Sequence, residues 1–109
     1  MPRPKKPRFV SAYPTMTAFI PEGMPVSGEV LLSVEGIESI RLSDFEGLDQ
    51  DTAARLMAVS RQTYGRILSE ARGVVANALV TGKALRIKGG MYAFRGQRGR
   101  RCRRMGRGR

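Results

Sequence analysis

The residues of this chain that could do chemistry are few in kind. There is no histidine and one cysteine, Cys102, so neither a zinc-ligand set nor a Ser/His or Cys/His nucleophile pair can be assembled. Asp44, Glu46, Asp49 and Asp51 crowd one segment, where helix capping and dipole compensation are a simpler use for carboxylates than acid–base work. Gly82-Lys83 lacks the flanking residues of a phosphate loop, having Asn77 five positions before Gly82 and Ala84 after the lysine. The expectation is a protein that is not an enzyme and needs no cofactor or metal. What remains is a polar set suited to recognition: Gln50, Ser60, Arg61, Gln62, Thr63, Arg66 and Ser69.

Those residues need two helices to position them. Gln50 to Met57 has Ala53, Ala54, Leu56 and Met57 at helical spacing behind Asp49, a residue type that caps free first-turn amides. After Ala58 and Val59, Ser60 offers a second cap, and Tyr64, Ile67, Leu68 and Ala71 recur on one face. The spacing predicts a short helix, a tight turn and a longer helix, the pattern of a helix-turn-helix. At about 100° per residue, Gln62, Arg66, Ser69 and Gly73 face away from the buried stripe. In such a motif the second helix presents its N-terminal residues to base edges in the major groove. Gln62 suits adenine and Arg66 guanine, each through a bidentate contact. Arg61 can reach a phosphate or a base edge, and Ser60, Thr63 and Gln50 sit where hydroxyls, amides and backbone donors hold phosphates. Gly65 would permit close backbone approach.

The rest of the chain supplies support and charge. The net charge is +11, from 20 basic and 9 acidic residues, and it is concentrated at the two ends. Residues 1–8, MPRPKKPR, read as a proline-rich flexible arm carrying Arg3, Lys5, Lys6 and Arg8. Residues 91–109 read as a disordered arginine-rich tail, with Arg98, Arg100, Arg101, Arg103 and Arg104 as further phosphate contacts. Cationic ends on a near-neutral middle point to a polyanion, because Lys and Arg release the counterions condensed on phosphates. An anionic membrane surface and a merely solvated tail are the blander readings. No stretch approaches a membrane span, the N-terminus leads into prolines rather than an apolar signal region, and a lone cysteine suits a reducing compartment. The expected location is cytoplasmic.

Residues 9–90 form the expected folded domain. Phe9 to Ile20 is rich in β-branched and aromatic types and predicts one or two short strands. Ser33 predicts the cap of a first helix from about Val34 to Phe45, with Ile37, Ile40 and Phe45 inward and Gly36 weakening it by roughly 1 kcal/mol. The long helix should reach about Val80, with Ala71, Val74, Val75, Ala78 and Leu79 extending its apolar stripe and Gly82 stopping it. Residues 84–88, ALRIK, alternate as a strand does and could pair with the N-terminal one. The fold class is therefore mainly α, with a few short strands.

The segments MPRPKKPR, FIPEGMP, SVEGIESIRLSDFEGLDQDTAARLMAVSRQTYGRIL and ALVTGKALRIKGG resemble a family of small uncharacterised prokaryotic proteins. The resemblance covers about residues 1–90. It implies DNA binding through a helix-turn-helix similar to sigma-factor region 4, winged-helix-like in size, with Arg61, Gln62 and Thr63 opening the recognition helix. Where relatives carry glycine before VSRQT this chain has Ala58, and Gly36 and Thr52 stand in place of acidic residues. The leading expectation is sequence-preferring binding of double-stranded DNA in transcriptional regulation, with a homodimer through the stripe from Ala71 to Leu79 as one arrangement. Two alternatives stay open: RNA or general nucleic-acid binding by the tail, with Tyr92 and Phe94 stacking on bases, and an adaptor that docks on the transcription machinery.

Overall fold

A computed structural model describes residues 7–94 of the chain. Three short polar residues start its three α-helices. Ser33 Oγ accepts the Gly36 amide at 3.0 Å, Asp49 Oδ1 the Thr52 amide at 2.7 Å and Ser60 Oγ the Thr63 amide at 3.0 Å. Each satisfies one orphan donor of a first turn, a bond whose loss costs about 1 kcal/mol. The helices are α1 (Val34–Ile40), α2 (Gln50–Met57) and α3 (Arg61–Thr81), and α3 ends at Gly82 in the left-handed region, φ 74°. The caps and the span of α2 stand where the sequence placed them.

The first helix departs from the expectation. After Ile40 the chain widens into a π-helical turn, Arg41–Phe45, in which the Glu46 amide reaches back to the Arg41 carbonyl at 2.8 Å. An i→i+5 turn rotates the side chains beyond it relative to a 3.6-residue repeat. Leu42 continues the buried row of Val34 and Glu38 at a spacing of four, whereas Phe45, expected inward, is 82% exposed. Gly36 also does more than weaken the helix. A Cβ there would lie 2.9 Å from Ser33 Oγ, 3.0 Å from Leu32 Cδ1 and 3.4 Å from Ala71 Cβ, so its bare backbone lets α1 approach the core of α3.

Five strands are present among the described residues: β1 (Arg8–Val10), β2 (Ala18–Phe19), β3 (Glu29–Leu32), β4 (Ala84–Ile87) and β5 (Tyr92–Phe94). The strand expected at residues 84–88 is central to a three-stranded sheet, antiparallel to β2 and parallel to β3, with Leu85 opposite both Phe19 and Val30. A separate parallel ribbon pairs Arg8 with Tyr92 and Val10 with Phe94. Residues 92–94 thus belong to the folded body and not to a tail, and the domain mixes α and β more evenly than expected. Tyr92 is 4% exposed and packs with Val10 and Val34, which removes it as a platform for stacking bases.

Helix α3 ties the core together. Leu42, Ala53, Ala54, Met57, Tyr64 and Leu68 pack α2 and the π turn against its first half, and Leu32, Ala71, Ala78, Leu85 and Ile87 pack the sheet against its second. Ala71 and Ala78 are buried inside the chain's own core, so of the stripe from Ala71 to Leu79 only the outer margin reaches the surface. Leu79 itself is 78% exposed, at the margin of the buried face with no element over it among the described residues.

Candidate nucleic-acid interface

The site is set by the turn that joins α2 to α3. The Ala58 amide donates to the Arg55 carbonyl at 3.1 Å and the Val59 amide to the Ala54 carbonyl at 3.0 Å, the paired bonds of a Schellman C-cap. Ala58 occupies the left-handed position, φ 58° and ψ 44°, where glycine is the low-cost residue. Ser60 then restarts the backbone as a helix. Tyr64 locks this geometry from below: fully buried, it donates its phenol hydrogen to the Ser39 carbonyl at 2.9 Å and lies within hydrogen-bonding distance of Ser43 Oγ. Burial pushes that phenol above its ordinary pKa, outweighing the Ser43 bond that pulls it down.

The structure brings the residues selected from the sequence together at one end of α3. Ser60, Arg61, Gln62, Arg66 and Ser69 are exposed, while Tyr64, Ile67 and Leu68 between them are buried. Thr63 is half-buried, its amide and hydroxyl both bonded to Ser60 Oγ. Gln50, also half-buried, brings its Oε1 within 3.6 Å of where a Cβ on Gly65 would sit. A side chain there would meet Gln50 only at ordinary van der Waals distance, so Gly65 leaves the helix surface flat without being required by the packing of α2.

The charges of this end are unequal. Arg61 faces Asp51 across the turn at 3.7 Å, both side chains well exposed, whereas Arg66 has no ion pair among the described residues. Arg55, exposed on α2, joins this end of the molecule without having been picked out by its sequence context; its place on the polar side of a short helix before the turn is the signal that could have found it. The clustered carboxylates serve structure. Asp49 is held below the usual carboxylate range mainly by the Thr52 amide, and Asp44 by its hydrogen bond with Arg72 at 2.7 Å. Glu38, 5% exposed, takes two hydrogen bonds from Arg41 and one from the Ser11 amide.

Among the expected phosphate contacts, Arg8 is a correction. It is a strand residue rather than part of an arm, its side chain is 11% exposed, and it lies 4.0 Å from Glu35. It lines a hollow with Ala58, Val59, Ser60 and Thr63, so β1 starts beside the turn. Arg3, Lys5, Lys6, Arg98, Arg100, Arg101, Arg103 and Arg104 lie outside the described residues. No helix among the described residues is long and apolar enough to cross a membrane.

Comparison with known proteins gives a consistent result. A model of the family described as protein of unknown function DUF134 matches residues 1–95. The chain is 51% identical over 110 residues to a UPF0251 protein of Thermoanaerobacter pseudethanolicus, covering 94% of this chain and 93% of that one. It is 50% identical over 99 residues to a UPF0251 protein of Caldanaerobacter subterraneus subsp. tengcongensis, covering 89% and 84%. No solved structure matches it.

Proposed function

This chain belongs to the DUF134 family, and we propose that it binds double-stranded DNA with sequence preference, as a transcriptional regulator, using α2 and α3 as a helix-turn-helix. One observation carries the reading: Gln62, Arg66 and Ser69 are exposed on the first turns of α3 while the intervening Tyr64, Ile67 and Leu68 anchor that helix in the core. A rigid helix end with a polar outer face is what major-groove readout requires.

In this reading Gln62 pairs with adenine and Arg66 with guanine, each worth about 1–3 kcal/mol of discrimination. The amides of Arg61 and Gln62, at the open end of α3, and the Arg55 guanidinium take phosphates. Arg61 exchanges its exposed Asp51 partner for DNA at little cost, since exposed ion pairs contribute at most about 1 kcal/mol. Selection from a random duplex pool, followed by titration of the recovered duplex against a scrambled one at several salt concentrations, tests the proposal. The expected result is one enriched motif bound well above the scrambled sequence, and equal affinity for every duplex would sink it.

A further inference from the structure

Away from the Ser60 end of α3 the surface carries an open groove of about 690 Å³, lined largely by apolar side chains from the β2 segment, α1, β4 and the second half of α3. Among its lining residues Phe19 is 51% exposed, Ile20 54%, Met24 49% and Leu79 78%, and Val80, next to Leu79, is 83% exposed. Together the four lining side chains leave on the order of 500 Å² of mostly apolar surface in water, the size of the largest patch on an ordinary monomer, which is often functional. The patch lies at the opposite end of α3 from the residues assigned to DNA, so base readout does not account for it.

We infer that this groove is the interface of a twofold homodimer, in which Leu79 of each copy enters the groove of the other. The patch offers both a concave part, beside Phe19 and Ile20, and a projecting part, the exposed Leu79 on its rim. A twofold interface uses the same patch on both copies, so a surface that contains ridge and groove side by side can complement itself. On the groove wall Asp44 and Arg72 already neutralise one another at 2.7 Å, and Lys83 adds one further charge, whose flexible stem can carry it to the solvated rim. Two such patches bury about 1,000 Å² in total, the lower bound of a specific interface, which predicts a weak dimer and not an obligate one.

The placement also fits the function proposed above, on which this step alone rests. Leu79 lies fifteen positions beyond Tyr64, about 22 Å along the helix axis. Joining two copies there leaves both Ser60 ends pointing outward, separated by at most about 45 Å and by less as the helices cross. The ~34 Å between successive major-groove half-sites falls inside that span.

Sedimentation equilibrium of the full chain without DNA, at physiological salt and from micromolar to submillimolar concentration, tests the interface. The mass should rise from one chain to two with a midpoint in the micromolar range. Leu79→Lys and Ile20→Lys, on opposite walls, should each raise that midpoint at least tenfold while leaving the thermal melt of the one-chain species nearly unchanged, since both side chains are largely exposed and a cation suits a helix C-terminus. A one-chain mass at every concentration overturns the inference and reassigns the groove to a foreign partner or an apolar ligand. Dimers that ignore both substitutions overturn it equally. With no DNA in the cell, failure here is separate from failure of the DNA-binding proposal.

Discussion

Replacing Ala58 by glycine should make this protein more stable. Ala58 is the non-glycine residue with positive φ among those described, at φ 58° and ψ 44°. An L-residue in that region carries a cost of about 1–2 kcal/mol from its Cβ against the following carbonyl, and glycine does not. Glycine gives back about 0.5–1 kcal/mol through the larger entropy of the unfolded chain. The net gain is about 0–1.5 kcal/mol, centred on ~0.75, which in a domain of this size raises the melting temperature by roughly 3–6 °C at that centre. Circular dichroism melts and a urea titration check it, the urea midpoint rising with an unchanged slope. Ala58→Val, a β-branched residue in the same backbone, should lower the midpoint. Sequence preference for duplex DNA should survive both changes. A glycine variant that melts clearly below the parent temperature would mean that the turn is not left-handed at this residue, and the mutual placement of α2 and α3 would fall with it.

The same geometry makes other outcomes testable. Tyr64→Phe removes the hydrogen bond to the Ser39 carbonyl and should cost about 1–2 kcal/mol by urea unfolding, because a buried acceptor loses its donor. Burial raises the Tyr64 pKa, so the folded state holds that proton longer than the unfolded state; its contribution is complete below pH 10.0 and is lost as pH rises through the folded value. The phenylalanine variant should lack this alkaline loss. Asp49 has the opposite sign: its depressed pKa gives stability that is full above 3.8 and disappears as pH falls through the folded value, and Asp49→Asn, still a competent cap, should flatten the acid limb of a melting-temperature profile. Gln62→Ala and Arg66→Ala should each lower discrimination between the selected and scrambled duplex by about 1–3 kcal/mol. Removing residues 95–109 should weaken all duplexes alike and reduce the salt slope by about 0.9 for each phosphate no longer neutralised, measured by titration at several salt concentrations.

The features legible in the sequence are local ones. Asp49 and Ser60 are short-range caps whose partners lie three residues on, and Tyr64, Ile67, Leu68 and Ala71 keep a regular period inside an unbroken helix, so α2, the turn and the buried face of α3 can be read directly. The inner face of the first helix cannot, since it buries the polar Glu38 and Ser39 beside Val34 and Leu42, and the π turn at residues 41–45 then leaves Phe45 outward. Strand β5 is hidden for a different reason. Tyr92, Ala93 and Phe94 are too few to announce a strand and acquire their pairing only from Arg8, Phe9 and Val10 at the far end of the chain. The same pairing converts Arg8 from an arm residue into a strand residue beside Glu35, a fate its neighbours in MPRPKKPR give no means to foresee.

That conversion sharpens the division of labour within the site. Residues 7–94 contain nine basic and nine acidic side chains, so the whole +11 resides in residues 1–6 and 95–109. Within the described body, Arg8, Arg41, Arg61, Arg72 and Arg86 each face a carboxylate. A body of zero net charge gains little from counterion release, the term that dominates non-specific affinity for duplex DNA. On the proposed function, the two ends must therefore supply most of the binding strength and nearly all of the salt dependence. Arg66, exposed and without an ion pair among the described residues, and the neutral Gln62 are left to supply discrimination. The two contributions should then be separable: a chain without residues 95–109 should keep its ranking of duplex sequences while losing affinity for all of them, and the Gln62 and Arg66 variants should do the reverse.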